Sequence, residues 1–125
     1  MRGIVSPGLL AAGLLFAVSA HGDGPFVAST NKGFVQLMQE AMQRMHEGMR
    51  AAPQNGIADH DFTTQMIPHH QGAIDMAEAL LVYGKDPELR QLAKGIIAEQ
   101  QNEIQVMRLW LSRHGGAPPA KGNDR

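Results

Sequence analysis

The sequence predicts an all-α protein, an antiparallel helical bundle of three long helices. Apolar residues recur every three or four positions along three long stretches, the spacing that lines one face of an α-helix. Short connections rich in Gly, Pro, Asn and Asp separate those stretches, and no run alternates apolar and polar residues as a half-buried strand would.

The first helix is expected from about Asn31 to Ala52, with Ser29 or Thr30 as its cap. Phe34, Met38, Met42, Met45 and Met49 fall on it within an arc of about 80°. Pro53, Asn55 and Gly56 end it. A second helix is expected from about Ile57 to Val82, turning Phe62, Met66, His69, Ala73, Met76, Ala77 and Leu80 inward and His60 outward. Pro68 lacks an N–H and crowds the carbonyl of Thr64, so this helix should kink or restart there. After Tyr83 to Lys85, Asp86 followed by Pro87 is a start signal, since aspartate caps and proline suits the first helical position. The third helix should reach about Ser112, with Leu89, Ala93, Ile96, Gln100, Glu103, Met107 and Leu111 inward.

The ends of the chain read differently. Arg2, the apolar run Leu9 to Val18 and the small residues Ser19 and Ala20 form a secretory signal pattern, with cleavage expected after Ala20. That run is too short to span a hydrocarbon layer needing about 20 residues, so no stable membrane anchor is expected after cleavage. The expected organisation is therefore a signal peptide over 1–20, a flexible leader over 21–28, a helical domain over 29–114 and a disordered Gly- and Pro-rich tail over 115–125. The mature chain would be periplasmic or extracellular. Losing Arg2 leaves ten basic against twelve acidic residues, so nothing suggests a nucleic-acid surface. With no cysteine, an exported domain of this size must rely on packing, metal or association, and a homodimer is a reasonable expectation.

Methionine and histidine are the unusual residues: seven Met remain after Met1, and all six His. His69 and His70 are adjacent, Met66 lies one turn before them, and Met76 returns to the same face. On the third helix Glu103 falls between apolar residues, where a carboxylate must be paired, protonated or coordinating. The first helix repeats the theme, His46 lying between Met42, Met45 and Met49, although a methionine stripe is also ordinary core filler. Thioether with imidazole suits copper, because soft uncharged sulfur binds Cu(I) and contributes little to Zn, Mg or Ca. No Glu has His three residues later, which argues against a di-iron bundle. Cleavage after Ala20 would also give His21 a free amine able to chelate copper.

The segments DHDFTTQMIPHHQGAIDMA (Asp59 to Ala77) and ELRQLAKGIIAEQQNEIQVMRLWL (Glu88 to Leu111) resemble the ferritin-like family catalogued as domain of unknown function 305. The resemblance implies a four-helix-bundle-like fold and a copper-handling role, with Asp59, Met66, His69, His70, Met76, Gln100, Glu103 and Met107 at family-patterned positions. Only three helices are evident here, so a fourth would be absent or supplied by a partner chain.

The reading is an exported copper-binding protein that sequesters or delivers copper. Met66, His69, His70, Met76 and Met107 are the expected ligands, with Met42, Met45, His46 and Met49 as a second candidate group. Asp59, Gln100 and Glu103 are expected to orient the imidazoles, since a metal-bound histidine donates its other N–H. Two alternatives use the same residues: a redox metalloenzyme with an open coordination position, and a metal-free interaction module in which they fix helix register.

Overall fold

A computed structural model describes residues 24–114, and the signal peptide expected over 1–20, His21 and the tail expected from 115 lie outside them. The described chain is all-helical: α1 (Phe34–Ala51), α2 (Ala58–Tyr83) and α3 (Pro87–His114). α3 starts as its sequence dictates, Asp86 accepting the Leu89 N–H at 2.9 Å ahead of Pro87. α1 begins later than expected, behind Gly33 and without a side-chain cap, so neither Ser29 nor Thr30 serves. α2 runs without interruption through Pro68, so the helix does not restart there. Its C-terminus carries no cation of its own. Arg90 of α3 supplies one, donating to the carbonyls of Leu81 and Gly84 at 2.7 and 2.9 Å.

Turn chemistry holds the α1–α2 connection. Asp61 accepts the backbone N–H groups of Asn55 and Gly56, and His60 donates to it from Nδ1 at 2.9 Å. The His60 bond, followed by those backbone donors, holds the Asp61 carboxyl below its ordinary value of 3.8. His60 is buried, not exposed as its angle from Phe62 suggested, because α2 meets neighbours on two sides.

α2 is the central helix. α1 and α3 each pack on it antiparallel, and among the described residues they do not approach each other. α2 accordingly contributes seven buried residues against two each from α1 and α3. α1 turns Leu37 and Ala41 onto α2, and its approach is close. A Cβ on Gly48 would lie 2.7 Å from the Pro68 Cβ, and one on Gly72 would lie 2.6 Å from the Met45 Cβ. α3 turns Ala93 and Ile104 onto the other flank.

The result is an open layer of three helices, and this corrects the expected inward stripes. On α1 the Phe34-to-Met49 stripe is rotated about 80° from the residues facing α2, and on α3 the Leu89-to-Leu111 stripe about 45°. Both rotate to the same side, where the α2 stripe lies between them. A single trough of about 310 Å³ is lined by Phe34 and Met38, by Ala73, Met76, Ala77 and Leu80, and by Leu89, Leu92, Ala93 and Ile96. Side chains placed inward by periodicity therefore stand on one open face: Phe62 is 64% exposed and Leu89 50%.

Candidate metal centre

The antiparallel packing of α2 and α3 places His70 opposite Glu103. His70 lies one turn after Met66, so its Nδ1 reaches back and donates to the Met66 carbonyl at 2.8 Å. The same bond fixes the ring so that Nε2 points across the seam, 2.6 Å from Glu103 Oε2. A carbonyl thus faces one ring nitrogen and a carboxylate the other, so both nitrogens of His70 are hydrogen-bonded. Glu103 is thus not a core carboxylate. Its side chain is 55% exposed while the His70 ring is 16% exposed, because α3 presents this position to the open side.

The orienting position on His70 belongs to the Met66 carbonyl. Glu103 was expected there, and instead sits on the nitrogen that a metal would take. A metal at Nε2 would displace this carboxylate or share it. His69 is exposed, with its ring centroid 5.9 Å from that of His70 and inclined at 63°. By the register that sets His70 on Glu103, the Met66 and Met107 positions stand level one turn along the seam, and Ala73 and Gln100 one turn the other way.

The remaining candidates are dispersed. Met76 lies in the apolar trough beside Met38. Met42 and His46 share an outer groove of α1 with Gln39, Gln43 and Arg50, away from the histidine pair. Met45 crosses Gly72 and reaches a cavity of about 400 Å³ on the opposite side of the layer. Met49 is half-buried, and Asp59 is exposed in the first turn of α2, where a carboxylate suits the helix N-terminus. None of the seven described methionines is buried. Among the described residues no three His, Asp or Glu side chains converge to hold a metal. A centre at His70 would therefore need thioether or neighbouring imidazole donors, the combination that suits copper.

Sequence reasoning missed Asp75, which is 3% exposed. It accepts from Gln71 at 2.9 Å, within the cavity that Met45 reaches, alongside Arg44, Glu78, Pro25 and Phe26. Burial pushes its carboxyl above the ordinary 3.8, against the pull of Gln71 and Arg44 and aided by Glu40. Glu78 is raised from 4.5 by burial and then by Asp75. The leader expected to be flexible has no regular structure over residues 24–28, but Arg44 donates to the Gly24 carbonyl at 2.8 Å and Phe26 lies over the cavity. A signal was present: Pro68, Gly72, Asp75 and Ala79 form a second stripe on α2, mostly of small residues, at spacings of four, three and four. α2 needs two packing faces, and a search for one stripe per helix finds only the first.

Residues 59–124 match the family described as domain of unknown function 305. The chain belongs to this family. The matched stretch takes in α3 and nearly all of α2, hence both residues of the His70–Glu103 contact, and leaves α1 outside it. An uncharacterized protein of Acanthamoeba polyphaga mimivirus is 47% identical over 51 residues, 41% of this chain. The match spans about a third of that protein's own length, 34%. Among the described residues of this family member, no helix is long and apolar enough to cross a membrane.

Proposed function

We propose that this protein binds copper outside the cytoplasm, sequestering it or passing it on, through His70 and His69 with thioether donors from Met66 and Met107. One observation carries the reading. The His70 ring is held by the Met66 carbonyl so that Nε2 faces α3, the arrangement in which one ring nitrogen is anchored and the other is presented. Adjacent imidazole, the level methionines and the soft chemistry of the donor set all favour copper over a hard cation. Copper would supply a soft Lewis-acid centre that accepts sulfur and nitrogen together. Glu103, which occupies Nε2 of His70, would have to give up that contact or serve as an oxygen donor when copper is bound. Export rests on the signal pattern of residues 1–20.

The experiment is Cu(I) retention by purified protein against a competing chelator, for wild type and for the His69→Ala, His70→Ala double variant. Retention of about one equivalent, lost in the double variant, is expected. Retention that survives the double substitution refutes this site. A second reading is favoured by the double engagement of His70: the His70–Glu103 pair fixes the register of α2 on α3 and no metal is involved. Under that reading wild type retains no copper.

A further inference from the structure

We propose that a second copy of this chain docks on the open face, each copy seating Phe62 in the apolar trough of the other. The two copies of His69 then meet near the two-fold axis.

The argument starts from a knob and a hole on one face. Phe62 shares the helical phase of Ala73, Met76 and Leu80, which line the trough, yet it lies two turns beyond His69 and is 64% exposed. The trough is floored by Ala73 and Ala77, small enough to leave room for a ring, and walled by Phe34, Leu89 and Leu92. Leu89 and Leu92 are 50% and 58% exposed, so this hollow is as uncovered as the knob. Its volume of about 310 Å³ admits an aromatic side chain.

Symmetry selects the occupant. Phe62 and the floor at Ala77 are fifteen residues apart on one continuous helix, about 22 Å at 1.5 Å per residue. The midpoint falls between His69 and His70. A two-fold axis through it, lying in the plane of the interface and perpendicular to α2, turns the two faces toward each other and carries each Phe62 onto the other copy's trough in one operation. Large side chains then meet small ones, and the polar middle of one face meets the polar middle of the other. A foreign helix would fill the groove with no need for knob and hole to be equidistant from a polar centre. Such self-complementarity is what an isologous interface requires.

The face also carries the uncovered apolar side chains that an interface buries, with Phe62 64%, Leu92 58%, Leu89 50% and Phe34 38% exposed. The pairing rests on shape and does not need metal. Its consequence for the copper reading is that two exposed His69 rings are brought together.

The test exploits the absence of cysteine. In chelator, sedimentation of the metal-free chain should give twice the mass of a single chain. Phe62→Glu and Leu92→Lys should each give single chains with unchanged helical circular dichroism, since both residues are exposed in the single chain. Mixing those two variants should restore a dimer, because both lesions fall in one knob–trough pair and leave the other pair intact. Under mild oxidation His69→Cys should form a covalent dimer, whereas Lys94→Cys, exposed on α3 away from this face, should not. Single-chain mass for wild type, no recovery on mixing, or equal cross-linking at both positions would overturn the proposal. Loss of copper retention with the dimer intact refutes only the copper reading.

Discussion

Substituting Gly72 by Ala tests whether the α1–α2 seam is as close as its geometry implies. An added Cβ would lie 2.6 Å from Met45 Cβ and 2.9 Å from both Met45 Cγ and Sδ. Carbon atoms rest about 3.5–4.0 Å apart, so the contact is short by about 1 Å. Rotation about χ1 can move Cγ and Sδ, but Cβ is fixed to the α1 backbone. α1 must therefore withdraw, loosening the neighbouring Gly48–Pro68 approach. Overpacking of this kind costs about 1–3 kcal/mol, and the better helix propensity of Ala returns about 1. Because no rotamer relieves a contact between two Cβ atoms, the cost falls at the upper end of that range, and a net loss of about 2 kcal/mol would lower Tm by roughly 8–16 °C in a domain this small. Differential scanning calorimetry of the purified variant measures it. Met45→Ala should not rescue the variant, because the offending Cβ remains, whereas Met45→Gly should. A Gly72→Ala protein as stable as wild type, or rescue by Met45→Ala, would refute the reasoning.

Two further outcomes follow from the charged groups. Asp75 has its carboxyl raised by burial, so the folded state holds that proton more tightly than the unfolded chain. Its contribution is complete below the ordinary 3.8 and is lost as pH rises through the higher folded value. Asp75→Asn keeps an acceptor for Gln71 and should stabilise the protein at pH 7 while flattening urea midpoints measured from pH 3 upward; an unchanged slope would refute the burial argument. Glu103→Ala removes the acceptor from His70 Nε2. With Glu103 half-exposed, the expected loss is about 1 kcal/mol, and the His70 ring ¹⁵N shifts should move. A loss above about 3 kcal/mol would mean that the pair is buried in solution.

Much of the fold was legible because helix signals are local. Asp86 and Pro87 start α3 as their side chains require, and the Gly- and Pro-rich connections fall where expected. The helix does not restart at Pro68, because a missing N–H says only that one hydrogen bond is lost. Continuous packing on both flanks of α2, with Pro68 seated on Gly48, keeps the helix intact. His60 misled for a related reason: an angle from Phe62 means outward only if Phe62 is inward, and Phe62 is the exposed one. Within the candidate centre, the adjacency of His69 and His70 and the spacing to Met66 were readable. The contact across 33 residues to Glu103 was not, since it depends on the register of two helices.

By itself the sequence determined three helices, their approximate ends, the membership of the stripes and the collection of methionine and histidine upon them. Each follows from backbone geometry and side-chain type within a few residues. Tertiary structure alone decided that α1 and α3 both choose α2 and leave each other. Small residues at Gly48 and Gly72 let α1 approach α2 more closely than the methionine stripe could, and that contact set the rotation of α1. A helical wheel gives angles about one axis and contains no term for which sector meets a neighbour. The stripes that periodicity assigned to a core thus became an open face.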